Sequence, residues 1–326
     1  PYFEVMDERT SAEALRSARD ELLNHARSVD DDGLVDALRV VTNWVHENEF
    51  SDLILSISSN RGRLKRLIAT HKGLEGAKAA VRKFLNIKSI DTVQHLLCNA
   101  CNNDVLREGR LYEAAYLLSE GGKRDREKSG KIEAWLKSSR DDRVASFDTY
   151  ASTYLTGNDS IRLNLISKRI SEKNPHLRDI LQCEAERVCA LVEKRKAIWT
   201  AESTEAILAL AISLIERYEV YKKQNALLDY DDLILKARAL VESSASWVLY
   251  KLDGGIEHVL IDEAQDSNAD QWAVVRAIVD EFFSGESASK AIRTIFAVGD
   301  EKQSIFSFQG AAPYEFKNMN HYFEDK

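Results

Sequence analysis

Proline is almost missing from this chain, with three in 326 residues, and glycine is sparse at fourteen. Both residues break helices, so long helices with few interruptions are expected. Cysteine is equally scarce. Four in this length do not make a disulfide framework, and thiols in a reducing compartment are the simpler expectation. No run of about eighteen apolar residues occurs, so no membrane-spanning helix is expected. The opening PYFEVMDERT lacks the basic start and apolar stretch of a secretory signal, and a cytoplasmic protein is the expectation. Excess positive charge is absent too: the net charge of −8 gives no bulk sign of a nucleic-acid binder, although a whole-chain figure hides local patches. The chain opens on Pro1 rather than methionine, which points to a piece of something longer.

What is present divides into two textures. From about residue 10 to 224 the apolar residues recur at helical spacing. ALRSARDELLNHA puts Leu15, Ala18, Leu22 and Leu23 on one stripe, and STEAILALAISLIERYEVYKK does the same with Ile207, Leu210, Ala211 and Leu214. No fixed-period repeat is found, which argues against a solenoid. From about residue 254, IEHVLIDE and IRTIFAVGD are short apolar runs ending in acids, the pattern of buried parallel strands. Between them ADQWAVVRAIVDEFF reads as a helix burying Trp272, Val275, Val279 and Phe282. Strand, helix, strand is a βαβ unit. Residues 2–6, YFEVM, read as a further strand reaching the same sheet. The expected fold is α/β but predominantly α-helical, at a length that favours two domains or one with a large insertion.

Functional residues of such sheets lie at the carboxyl ends of the strands. Asp262 and Glu263 are placed there by VLIDEAQDS (259–267). One carboxylate at a strand end can hold magnesium through water while its neighbour accepts a proton from an attacking water. The plainer reading is an acidic pair starting a loop before a helix. The second cluster, VGDEKQSIFSFQGA (298–311), has Gly299 for a tight turn and Gln303 for an amide that can sense a phosphate or its bound water. Phe306 and Phe308 alternate, so both can face one way and stack on unpaired bases; the plainer reading makes them core.

LIDEAQD together with VGDEKQSIFSFQGA resembles motifs II and III of the superfamily 1A DNA helicases of the UvrD/Rep type. LLDYDDLI (227–234) resembles the acidic signature that precedes motif II there, and the stretch from WVLYKLDGG to ADQW looks most like the AddA component of bacterial helicase–nucleases. The specific resemblance covers about residues 225–326. It implies an ATP-dependent helicase of DNA double-strand-break repair, with ATP and Mg2+ as cofactors. The partners it implies are single- and double-stranded DNA and an AddB-like nuclease subunit; no membrane is implied. By it, Asp262 would be the magnesium carboxylate and Glu263 the general base. Gln303 would couple the γ-phosphate to DNA, and Gln265 and Asp266 would connect the ATP site with the DNA track. Phe306 and Phe308 would belong to the single-strand stacking surface, and Gln309 stands there where many relatives have arginine. Asp231 and Asp232 match the upstream signature, in a structural role or near the nucleic-acid path. The domains implied are a strand at 1–9 joining a RecA-like domain, a helical 1B-like insertion at 10–224, and the rest of a RecA-like domain 1A, a partial P-loop NTPase domain, at 225–326.

The phosphate-gripping half of such a site, G-x-x-x-x-G-K-[ST], does not occur in these residues. In SGKI (129–132) the lysine is followed by Ile132, and in GGKR (121–124) by Arg124. The arginine-bearing motifs of a second motor domain and any nuclease domain are missing as well. The isolated chain is therefore expected to be inactive as an ATPase. The alternative is a non-enzymatic helical module that binds single-stranded DNA or protein. The stretch RGRLKRLIATHKGLEGAKAAVRK (61–83) holds eight basic residues against one acid, and Arg61, Arg63, Lys65 and Arg66 are its candidate DNA-backbone contacts, against a solvated helix face. GKRDREKSGK reads as an exposed flexible loop. HLLCNAC (95–101) has a zinc-like look in His95, Cys98 and Cys101, with Cys183 and Cys189 to complete a set, but Cys101 falls on an apolar stripe and reads better as core.

Overall fold

The computed structural model describes residues 3–28, 32–102, 106–242, 255–283, 293–300 and 313–324. Its order is β1 (Glu4–Val5), then helices α1 (Glu8–Ser28), α2 (Asp32–Thr42), α3 (Glu47–Ser59), α4 (Arg61–Thr70), α5 (Leu74–Phe84), α6 (Val93–Ala100), α7 (Glu108–Ser119), α8 (Lys123–Lys137), α9 (Arg140–Ala145), α10 (Phe147–Ala151) and α11 (Lys168–Lys173). There follow the long α12 (Pro175–Gln224), β2 (Leu227–Leu228), α13 (Tyr230–Glu242), β3 (His258–Ile261), a 3-10 turn (Ala264–Asp266), α14 (Ala269–Phe283), β4 (Thr294–Ala297) and α15 (Pro313–Glu324). Side chains start several of the helices. Thr92 accepts the His95 N–H at 3.1 Å at the head of α6, and Asn268 caps α14 by accepting the Asp270 and Gln271 N–H groups. The Gln271 side chain returns the contact by accepting the Asn268 N–H at 2.8 Å, a reciprocal box directly after the acidic motif.

Two compact units are present, residues 75–205 and residues 3–74 with 206–324. These bounds differ from the expected joints near residues 10 and 224. The first unit is helical and closes on Trp135, which stacks on Tyr150 at 3.8 Å between ring centres. The Tyr150 hydroxyl donates to Glu184 at 2.6 Å, and Arg187 neutralises the same carboxylate, so this buried acid is both hydrogen-bonded and paired. Cys101 is fully buried in this core, and burial pushes its thiol pKa up. GKRDREKSGK is not a loop. Its residues lie in α8, because Asp125 accepts the Gly122 and Ser167 N–H groups from an almost solvent-free position and fixes the helix start.

In the second unit α1 buries Leu15, Ala18 and Leu22, and the end of α12 buries Leu210, Ala211 and Leu214, all in one core with Met6. These are the stripes that the helical spacing predicts. One eighteen-residue window of α12 has a mean hydropathy of 1.4, long and apolar enough by composition alone to cross a membrane. Ile198 and Ala201 of that helix are nonetheless packed in a protein core, as are Leu210 and Leu214.

The strands depart from expectation in two ways. β1 pairs in parallel with β2, Glu4 opposite Leu227, and not with β3 or β4 among the described residues. β3 and β4 are parallel as expected, but they are covered on one face only. Ile261 and Ala297 pack against Trp272 and Met319, whereas Leu260 (75% exposed) and Phe296 (62%), opposite each other in register, have no cover among the described residues.

Candidate strand-end carboxylate site

The register of β3 on β4 decides where the acidic pair goes. After the ladder pair Ile261–Ala297 the next residue of β4's strand path, Val298, donates its N–H to the Ile261 carbonyl and accepts the Ala264 N–H, both at 2.9 Å. One residue thus holds the chain on both sides of Asp262 and Glu263, and the two acids are turned out between its bonds. Glu263 absorbs the turn in the left-handed region, φ 49° and ψ 43°. A residue other than glycine held there costs on the order of 1–3 kcal/mol and persists where its surroundings impose it. Both acidic residues are exposed. Asp262 accepts the Glu263 N–H at 3.0 Å. Ala264, next along, is fully buried with Trp272 and Met319, so the exposed pair stands on a packed base.

Gln265 is buried at 1% exposure and is polar at both ends. Its Nε2 donates to Glu263 Oε2 at 2.7 Å, and its Oε1 accepts the Asp300 N–H at 3.0 Å. Gly299 is required by this arrangement more than by a turn. A Cβ there would lie 2.4 Å from Gln265 Oε1 and 3.1 Å from the Gln265 backbone nitrogen. Asp266 has a buried Oδ1 with no hydrogen-bond partner among the described residues. Gln303, Phe306, Phe308 and Gln309 lie outside the described residues.

Asp262 and Glu263 offer hard oxygen donors at a solvent-accessible strand end, a set that suits magnesium held by one carboxylate and water. A fully protein-made cage is a different matter: among the described residues no group of three or more His, Cys, Asp or Glu side chains converges on a point. His95 instead meets Asn99 at 3.0 Å, and Cys98 accepts from Gln94.

The basic stretch is a correction. Arg61 is 2% exposed and cannot meet a DNA phosphate. It pairs with Asp229, with Asp231 at 3.0 Å and with Asp232 at 3.2 Å, while Lys222 joins Asp229 at 3.2 Å and Asp232 at 2.5 Å, and the Tyr218 hydroxyl donates to Asp229 at 2.8 Å. Burial pushes the Asp229 carboxyl up, and the Arg61 and Lys222 charges outweigh it, so it is held below the usual carboxylate range. The acidic signature around residue 230 is therefore the receptor of a buried arginine. Lys65 is paired with Glu219 and Arg66 with Asp270 at 2.5 Å, both half-exposed. Arg63, Lys72 and Lys83 are exposed. Asp229 and the Gln265–Gly299 contact escaped the sequence reading. The spacing of LLDYDD marks the first, and nothing local marks the second.

Comparison with known proteins matches the family model described as UvrD/REP helicase N-terminal domain to residues 69–324. The AddA-type component of the ATP-dependent helicase/nuclease of Lactobacillus helveticus is 32% identical over 142 residues, 42% of this chain and 11% of that protein. The ATP-dependent DNA helicase Rep of Escherichia coli is 35% identical over 96 residues, 29% of this chain and 13% of Rep. The RecBCD enzyme subunit RecB of Mycolicibacterium smegmatis is 30% identical over 103 residues, 32% of this chain and 9% of RecB. In each case the match spans a small part of the relative's length.

Proposed function

The chain belongs to the UvrD/REP helicase N-terminal domain family, and from that premise we propose that it carries the magnesium-and-base half of a helicase ATP site. The observation that carries this is the acidic pair held out at the end of β3 by the two bonds of Val298. Asp262 would hold the ion, whose charge, when bound, offsets that of the phosphates. Glu263 has one oxygen engaged by Gln265 and presents the other, Oε1, to take a proton from water. Residues 225–326 are read as part of a RecA-like domain and the preceding helices as a 1B-like insertion. The whole protein is read as an ATP-driven translocase on single-stranded DNA that unwinds duplex during break repair, beside an AddB-like nuclease subunit.

These 326 residues contain no phosphate loop, so the purified chain is expected to show no magnesium-dependent ATP turnover. Stoichiometric turnover abolished by Glu263→Gln would overturn that expectation and still support the base. Loss of turnover in the full-length protein on Glu263→Gln supports the reading as a whole, and retained turnover sinks it.

A second reading, a non-enzymatic DNA-binding module, is favoured by the distribution of charge. Residues 75–205 carry 23 Lys and Arg against 20 Asp and Glu, whereas the rest of the chain carries 22 against 33. A net-positive unit within a net-negative chain is the pattern of a local electrostatic footprint.

A further inference from the structure

Gln265 is a costly way to fill a core. A methionine or leucine would occupy its volume without two polar groups to satisfy, and it is 1% exposed. What the amide adds is direction. Its nitrogen donates to the charged Glu263 carboxylate at 2.7 Å, and hydrogen bonds to ionised groups are the stronger kind. Its oxygen takes the Asp300 N–H at 3.0 Å, so the amide cannot rotate without losing a bond at each end. Gly299 completes the seat, because any side chain at that position collides with Gln265 Oε1 at 2.4 Å. Glu263 itself is exposed and hinged on a left-handed residue. Among the described residues, its carboxylate accepts a side-chain hydrogen bond from Gln265 and from no other group.

We propose that Gln265 is a positioning residue, which fixes the Glu263 carboxylate against the backbone at the end of β4, and that Gly299 is the glycine that makes room for it. The proposal rests on the reading of Glu263 as the base that takes a water proton. It adds that the orientation of this base is set by a buried amide with two bonds. An exposed glutamate on its own samples several rotamers, and a base that is in place only part of the time loses rate in proportion.

The test has two arms. In the 326-residue chain labelled with 15N at glutamine, the Gln265 side-chain amide should be protected from solvent exchange. Glu263→Ala and Gly299→Ala should each remove that protection, and Gln265→Met should speed exchange of the Asp300 amide. Protection unchanged by Glu263→Ala overturns the contact. In the full-length protein, Gln265→Met should lower kcat for ATP by about 10–100-fold and leave KM within about twofold, as expected when a general base is misplaced and binding is kept. Gln265→Glu distinguishes positioning from packing. As a carboxylate it repels Glu263 and activity is lost near pH 8, and as a neutral acid it can donate like the amide, so activity returns as the pH is lowered. A Gln265→Glu profile parallel to that of the unmodified protein overturns the proposal. If Glu263→Gln retains turnover, the base reading fails. If Glu263→Gln is inactive while a folded Gln265→Met keeps its kcat, the positioning role alone fails. Should Gln265→Met not fold, Gly299→Ala and Gln265→Glu decide by the same two readouts.

Discussion

Arg61 and Asp229 meet inside the protein, 2% and 6% exposed, across 168 residues of sequence. Removing one partner of a buried, hydrogen-bonded ion pair leaves an uncompensated charge, which is far more damaging than deleting a surface pair. Arg61→Met is expected to lower the unfolding free energy by about 3–5 kcal/mol, read from urea denaturation. Arg63→Met, two residues along and exposed, should stay within about 0.5 kcal/mol. Equal losses for the two would contradict the buried network.

The same pair sets an acid limit. Asp229 has a folded pKa below its unfolded value, so its contribution is complete above about pH 4 and is lost as the pH falls through the folded pKa. Asp229→Asn should be less stable at neutral pH and should lose less stability between about pH 4 and pH 2 than the unmodified chain. Thermal unfolding across that window measures the difference. Parallel curves would show that other carboxylates govern the acid limb.

Alkylation separates the cysteines. Cys183 is exposed, whereas Cys101 is fully buried and its thiol is held protonated by that burial. Iodoacetamide at pH 8 should label Cys183 in the native chain and Cys101 only after denaturation, as mass spectrometry of the peptides will show. Native labelling of both at one rate would contradict the placement of Cys101 in the core.

If the chain grips nucleic-acid backbone through its exposed cations, Arg63, Lys72 and Lys83 are the residues to change. Their combined replacement by alanine should reduce the salt slope of single-strand binding by about 2, at about 0.7 per phosphate contact. Arg66→Ala should move the slope less, because that side chain is engaged by Asp270. An unchanged slope in the triple variant would leave these three as a solvated face.

Legibility in the sequence followed the range of the interaction. The stripes of Leu15, Ala18 and Leu22 and of Leu210, Ala211 and Leu214 were readable because helical burial repeats every three or four residues. The parallel pairing of β3 with β4 was readable because a helix separates two apolar runs ending in acids. What failed was remote. Arg61 looked like one more cation in a basic run, and only the fold brings three aspartates from beyond residue 228 around it. GKRDREKSGK looked like a loop because its two flanking glycines suggested breaks, and Asp125 overrides them by binding backbone at residues 122 and 167. The contact of Gly299 with Gln265 joins two motifs that were each legible, in a way that neither spells out.

Val298 holds the acidic pair by main-chain atoms alone, on both sides of a two-residue excursion. The composition of that excursion and its length are therefore under different constraints. Asp262 and Glu263 can be exchanged for Asn and Gln, or for alanine, without disturbing the strand pairing, so loss of chemistry at this point need not bring loss of fold. Deleting or inserting one residue between Ile261 and Ala264 would instead break one of the two bonds of Val298 or shift the strand register. The same stretch is tolerant to a change of side chain and intolerant to a change of count, which makes substitution, and not truncation, the clean instrument for asking what the pair does.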